Sequence, residues 1–152
     1  MKNLESLIKT YNNFPKKGIS FKDLLGIIQD KDVFRELILK MSSHEIIKNS
    51  EAIISIEARG FIFGSAISLQ ASKPMIVARK PGKLPGKLIQ QNYSLEYGQN
   101  SLSIQREALE KFNSYAIVDD LLATGGTVDC VTRLINKSCK KIYDLLIIIE
   151  LI

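Results

Sequence analysis

An α/β fold built on a parallel sheet is what this 152-residue sequence predicts, and two observations carry the prediction. Twice a short apolar run is followed by a glycine-bearing turn and then a helical pattern. The first unit is Ala52 to Ile56, the turn Glu57-Ala58-Arg59-Gly60, and Phe61 to about Ala71; the second is Tyr115 to Val118, the turn Asp119 to Gly126, and Thr127 to about Lys137. In addition, Ile142 to Ile149 is β-branched and apolar on both faces, as a central parallel strand should be. In such sheets ligands gather at the carboxyl ends of the strands, with helices flanking them.

The remaining elements follow in chain order. Leu4 to Tyr11 reads as a short helix, broken by Pro15 and Gly18, and an irregular stretch follows. From Asp32 to about Lys48, the residues Val33, Phe34, Leu37, Ile38, Met41, Ile46 and Ile47 mostly recur at three and four. That spacing predicts one amphipathic helix, N-capped by Asp30 or Asp32. Met75 to Ala78 reads as a second buried strand, and Ser101 to Gln105 alternates as a half-exposed one. Between them Arg79, Lys80, Lys83 and Lys87 mingle with Pro81, Gly82, Pro85 and Gly86, which predicts a basic, flexible loop.

Composition bounds the function. With 45% hydrophobic residues and no repeat, the whole chain 1–152 is expected to be one globular domain. The longest apolar run, Leu145 to Ile149, is far short of the roughly 20 residues that span a bilayer. The first residues lack an apolar core and a cleavage site, so the expected compartment is the cytoplasm. Cys130, Cys139 and the lone His44 form no recognisable zinc or disulfide pattern, and both cysteines are expected to be buried. A net charge of +5 favours anionic partners but does not by itself choose between nucleic acid and a phosphorylated metabolite; taken with the motifs that follow, neither a membrane nor nucleic acid is the expected partner.

The most informative segment is YAIVDDLLATGGT at 115–127. A buried strand delivers two acids and then a Thr-Gly-Gly-Thr turn that opens a helix. Glycines let backbone N–H groups approach a phosphate, Thr124 and Thr127 add hydroxyl donors, and the helix N-terminus supplies partial positive charge. Asp119 and Asp120 stand beside this cradle, placed for the hydroxyls of a sugar. A ribose 5-phosphate satisfies both halves. Neither a Walker loop nor a G-x-G-x-x-G fingerprint is present.

These residues resemble the signature of the type I phosphoribosyltransferases. Four further stretches, FPKKGISFKDL at 14–24, EARGFIFG at 57–64, RKPGKLPG at 79–86 and YSLEYG at 93–98, resemble the adenine phosphoribosyltransferase family in order and spacing. The resemblance implies a parallel-sheet fold with a small N-terminal hood, from about 12–26 with the C-terminal end, and a flexible lid loop. It implies a pentosyltransferase of purine salvage, which makes AMP and pyrophosphate from adenine and 5-phosphoribosyl-1-pyrophosphate (PRPP). Mg²⁺ arrives on PRPP with no direct protein ligand, and the expected assembly is a homodimer.

By the same resemblance, Asp119, Asp120, Ala123, Thr124, Gly125, Gly126 and Thr127 hold ribose 5-phosphate. Glu57, Ala58, Arg59, Arg79, Lys80 and Lys83 hold pyrophosphate, with a cis peptide between Glu57 and Ala58. Arg59 and Glu96 serve catalysis, Glu96 near the purine N7, and Tyr97 in the lid covers the site. Backbone groups at Ser20 and Lys22 read adenine between Phe21 and Leu151. Lys17 and Ser20 depart from the family pattern, which leaves another 6-substituted purine as an alternative base. A non-catalytic PRPP-binding regulator is the alternative of another class. Relatives continue past this point with a Leu-x-Gly-Arg segment, where the sequence here stops at Ile152.

Overall fold

A computed structural model describes residues 4–95 and 98–151. The chain divides into two compact units, Met1–Lys40 and Met41–Ile152.

In the first unit a 3-10 turn, Leu4–Leu7, precedes β1 (Lys9–Asn12), and β1 pairs antiparallel with β2 (Ser20–Asp23) in the register Asn12↔Ser20 to Lys9↔Asp23. The predicted helix from Leu4 to Tyr11 is thus confined to its first turn. Thr10 and Tyr11 favour a strand once the chain can double back, and the segment 13–18 makes it do so. There Asn13 and Gly18 take φ of 60° and 90°, the Phe14–Pro15 peptide is cis, and Gly18 N–H donates to Asn13 Oδ1 at 2.9 Å. The stretch expected to be irregular instead holds β2 and a helix, α1 (Leu25–Gln29).

The amphipathic pattern after Asp30 forms two helices, α2 (Lys31–Ser42) and α3 (Glu45–Asn49), rather than one. Asp30 Oδ1 caps α2 by accepting the N–H groups of Asp32 and Val33 at 3.1 and 3.2 Å. His44, with ψ of 145°, interrupts the helical path, and its Nδ1 accepts the N–H of Ile46 to restart it.

The second unit is organised on a four-stranded parallel sheet of β3 (Ala52–Ile56), β4 (Met75–Ala78), β7 (Ser114–Val118) and β9 (Lys141–Leu146), ordered β4-β3-β7-β9. The two inner strands, β3 and β7, are buried at every residue. Their even- and odd-facing sides meet different partners. Ala52, Ile54 and Ile56 of β3, with Ile76 and Ala78 of β4 and Ile117 of β7, share one core with Cys130, Val131, Leu134 and Ile135 of α6 (Gly126–Lys137). The spacing of those four α6 residues is a single helical stripe. On the opposite side α4 (Gly60–Ala71) comes close enough that a Cβ on Gly64 would overlap Ser55 Oγ.

A two-stranded hairpin, β5 (Leu88–Leu95) and β6 (Gly98–Gln105), adds Leu102 and Ile104 to the same core. The half-exposed strand expected at Ser101–Gln105 is therefore longer, and Leu102, Ser103 and Ile104 are all buried. The basic loop before it is anchored at its start, where Arg79 and Ser103 exchange backbone hydrogen bonds of 2.9 and 2.7 Å. A short helix, α5 (Arg106–Glu110), follows β6, and the Tyr115 hydroxyl lies within donating distance of the Leu109 carbonyl in its last turn and the Phe112 carbonyl just after it. Burial pushes that hydroxyl's pKa up to about 12.

Two expectations are corrected here. The segment predicted as a central strand at Ile142–Ile149 is the outer strand of the sheet, exposed at Lys141, Tyr143 and Asp144, and ends at Leu146. An edge position leaves one side of the strand open to water, which the apolar run alone does not reveal. Cys130 is buried, but Cys139 is exposed in the turn after α6, with φ of 55°. Among the described residues no helix is long and apolar enough to cross a membrane.

Candidate functional site

Parallel register places three chain segments side by side. Ile56 is level with Ala78, and Ser55 with Val118, so the turn 57–60, Arg79 and the acids Asp119 and Asp120 all emerge at the carboxyl edge of the sheet. The Glu57–Ala58 peptide is cis. Gly60 lies against Asp119 so closely that a Cβ there would stand 2.6 Å from Asp119 Oδ1.

Asp119 and Asp120 are 8% and 5% exposed. Asp120 N–H donates to Asp119 Oδ1 at 2.9 Å, and Arg59 Nε lies 2.7 Å from Asp120 Oδ2. This last contact is an ion pair outside hydrogen-bond angles, and Asp120 Oδ2 has no hydrogen-bond partner. Burial is the main force pushing Asp119 well above the usual carboxylate pKa. The Asp120 charge adds to that push, while the Asp120 N–H and the Arg59 charge oppose it.

The second arginine is tied in the same way. Arg79 Nε donates to Glu57 Oε2 at 2.9 Å, Lys80 N–H donates to the same oxygen at 3.1 Å, and the guanidinium sits 5.7 Å from the Phe61 ring centre. Burial alone would raise the Glu57 pKa, but these hydrogen bonds and the charges of Arg79 and Lys80 outweigh it and hold the carboxyl below its ordinary value. Glu57 thus meets Arg79 and Lys80 with its side chain. Lys80 and Lys83 are exposed on the following loop.

Beyond Asp120, β8 (Leu121–Leu122) pairs in parallel with β10 (Ile149–Glu150). Ile149 N–H donates to Asp120 O at 3.2 Å and Leu151 N–H to Leu122 O at 2.8 Å. The C-terminal segment therefore straps the base of the loop that follows, and half-buried Leu151 lies beside it. Sequence reasoning missed this strap, because a pairing two residues long leaves no periodicity to read.

At the loop's far end, Gly125 has φ of 78°, a conformation that favours glycine, and caps α6. Asp129 N–H donates to Gly125 O at 2.9 Å, which closes the first turn of the helix. The N–H groups of Gly126, Thr127 and Val128 fall in the opening turn of a helix, where no intrahelical acceptor exists. Ala123 and Thr124 are exposed and Thr127 is half-buried. The arrangement is an open anion cradle flanked by two buried acids and two tethered arginines.

The phosphoribosyl transferase domain family model matches residues 25–143. The adenine phosphoribosyltransferase of Prochlorococcus marinus (strain MIT 9515) is 70% identical over 148 residues, which are 97% of this chain and 86% of that relative. The chain belongs to the adenine phosphoribosyltransferase family. Two solved adenine phosphoribosyltransferases superpose on it over 97% of its length. That of Rhodothermus marinus DSM 4252 has a TM-score of 0.89 at 30% identity and is covered over 84%. That of Saccharomyces cerevisiae has a TM-score of 0.87 at 31% identity and is covered over 86%.

The other residues that the family resemblance singled out fall in two places. Ser20, Phe21 and Lys22 lie in β2 of the first unit, where the Phe21 ring meets Phe14 edge-on at 5.2 Å. Among the described residues β2 pairs with β1 alone, and in an antiparallel strand residues 20 and 22 direct their backbone groups to the same side. Glu96 and Tyr97 lie outside the described residues.

Proposed function

We propose that this chain transfers the phosphoribosyl group of PRPP to N9 of adenine, releasing pyrophosphate and forming AMP. The observation that carries the reading is the buried Asp119–Asp120 pair at the mouth of the Thr124–Thr127 cradle, with Arg59 against it. The relative from yeast was solved with adenine and an imino-altritol bisphosphate, a ligand pair of matching kind.

In this reading the 5′-phosphate lies in the cradle of Ala123, Thr124, Gly125, Gly126 and Thr127, whose backbone N–H groups and helix N-terminus favour it. Asp119 and Asp120 accept the ribose hydroxyls. The turn Glu57-Ala58-Arg59, together with Arg79, Lys80 and Lys83, takes the pyrophosphate. The bond from the ribose anomeric carbon to the pyrophosphate oxygen breaks as N9 attacks. Positive charge grows on the ribose ring, which the acids stabilise, and negative charge grows on the leaving group, which Arg59 and Arg79 stabilise. Mg²⁺ comes in with PRPP and neutralises phosphate charge, a role that needs few protein ligands.

Glu96 is assigned to N7: adenine reacts as its N7–H tautomer, whose unprotonated N9 attacks, and the N7 proton passes to the Glu96 carboxylate as the N9–ribose bond forms; Tyr97 is the residue assigned to the lid. Backbone groups at Ser20 and Lys22 read the adenine edge, which offers an N6 donor and an N1 acceptor that hypoxanthine reverses. Phe21 and Leu151 flank the ring. The reaction is assigned to the cytoplasm and to a homodimer. The test is AMP formation from PRPP, Mg²⁺ and adenine, with hypoxanthine in parallel. Product from adenine alone is expected; equal use of hypoxanthine moves the function to another 6-substituted purine, and product from neither base leaves a binding protein.

A further inference from the structure

Arg59 has two claims on it. It is the cation expected to hold pyrophosphate, yet its Nε stands 2.7 Å from Asp120 Oδ2, the acid expected to hold the ribose. The pairing answers a physical need. Asp120 is 5% exposed and sits next to a second buried carboxyl, Asp119. Its Oδ2 has no hydrogen-bond partner, so the Arg59 charge is what compensates that oxygen. A buried charge that loses its counter-ion is strongly destabilised.

We propose that the Arg59–Asp120 contact is a clasp which the two halves of the substrate release together, so that pyrophosphate and ribose 5-phosphate bind with positive coupling. Pyrophosphate alone draws Arg59 away and leaves the buried Asp120 Oδ2 without its counter-charge. Ribose 5-phosphate alone offers hydroxyls to a carboxylate already engaged by Arg59. When both are present, Arg59 moves to phosphate oxygens and Asp120 to ribose hydroxyls, and neither charge is left unmatched. The clasp thus favours the intact substrate, which carries both halves, over either fragment. It also makes Asp120 a positioning residue for Arg59 before substrate arrives. The inference rests on the assignment of these two residues under the proposed function.

The test is the affinity of ribose 5-phosphate, titrated calorimetrically in Mg²⁺ with and without saturating pyrophosphate. The wild-type protein is expected to bind ribose 5-phosphate about fivefold or more tightly when pyrophosphate is present. Linkage requires pyrophosphate to gain the same factor from ribose 5-phosphate. In both Asp120→Asn and Arg59→Gln that ratio is expected to fall toward one. Two variants are needed because a metal bridging the ligands would also couple them, but such a bridge would survive Arg59→Gln. A wild-type ratio of one, or a ratio retained in Arg59→Gln, overturns the clasp. If wild type binds ribose 5-phosphate with the expected cradle dependence, lost in Gly126→Pro, but shows no coupling, the clasp fails and the site reading stands. If ribose 5-phosphate does not bind at all, both fail.

Discussion

A methyl group at position 60 has no room, because its carbon would stand 2.6 Å from Asp119 Oδ1. That oxygen is not the loose end of a surface side chain; it is buried and accepts Asp120 N–H. Gly60→Ala is therefore expected to displace Asp119 and weaken its grip on ribose. The loss of one charged hydrogen bond, roughly 1.5–3 kcal/mol, corresponds to a fall in kcat/KM for PRPP of about 10- to 100-fold. Steady-state kinetics with PRPP varied would show it, and unchanged kcat/KM would mean Asp119 does not touch the substrate.

The pH response at this residue has a definite sign. Burial raises the folded Asp119 pKa above its unfolded value, so folding favours the protonated acid. The stability this provides is full below the ordinary carboxylate pKa and is lost as pH rises through the raised one. Glu57 works in the opposite sense. Its lowered pKa contributes stability above the ordinary value that disappears as pH falls through the folded one. Asp119→Asn removes only the first effect. Its melting temperature is expected to gain on wild type as pH rises from about 4 toward neutrality, and a difference that stays flat over that range would count against a protonated Asp119.

At the scale of elements, what the sequence made legible was whatever repeats along the chain. β3 and β7 are nearly continuous apolar runs because both their faces are covered, β4 is a shorter apolar run that alternates half-buried and buried residues, and α6 shows its stripe at Cys130, Val131, Leu134 and Ile135. The Asp119 to Thr127 motif was readable for a similar reason, since its residue types are dictated locally. The failures are tertiary. In IYDLL the one local sign of an outer strand is the charged Asp144, which is exposed in β9 and which the surrounding apolar residues outweigh, and only pairing with Ser20–Asp23 makes a strand of Lys9–Asn12. The strap of β10 on β8 is the most consequential of these, because it joins the chain end to the loop that begins at Asp120. Ile149→Pro removes the N–H that bonds Asp120 O while keeping an apolar residue. The expected result is a higher KM for PRPP, by about fivefold for one net backbone hydrogen bond of roughly 1 kcal/mol, with far-ultraviolet circular dichroism unchanged. An unaltered KM would make the strap a passive terminus.

For the whole molecule the net charge of +5 and the gathering of Arg59, Arg79, Lys80 and Lys83 around an anion cradle have one energetic consequence. Arg59 and Arg79 are already paired with Asp120 and Glu57, while Lys80 and Lys83 stand exposed on the loop after Arg79, and a phosphate that meets these cations adds interactions that only the folded chain can make, so the folded state should gain from nucleotide. A ligand that binds only the folded chain stabilises it by about 2.7 kcal/mol when present at 100 times its Kd. For a chain of this size each kcal/mol is worth about 2–4 °C, which gives a rise in Tm of about 5–11 °C. The same calculation applied to IMP predicts less, because the backbone groups assigned at Ser20 and Lys22 would face donors and acceptors in reversed order, and each mismatch leaves a polar group unpaired at about 1–3 kcal/mol. Thermal melts with AMP, IMP and ribose 5-phosphate at equal concentration separate the contributions. Ribose 5-phosphate reports the cradle and acids of the second unit, and the difference between AMP and IMP reports the base contacts assigned to β2. Equal shifts for AMP and IMP would remove the base reading from Ser20 and Lys22 while leaving the phosphoribosyl site where the buried acids put it.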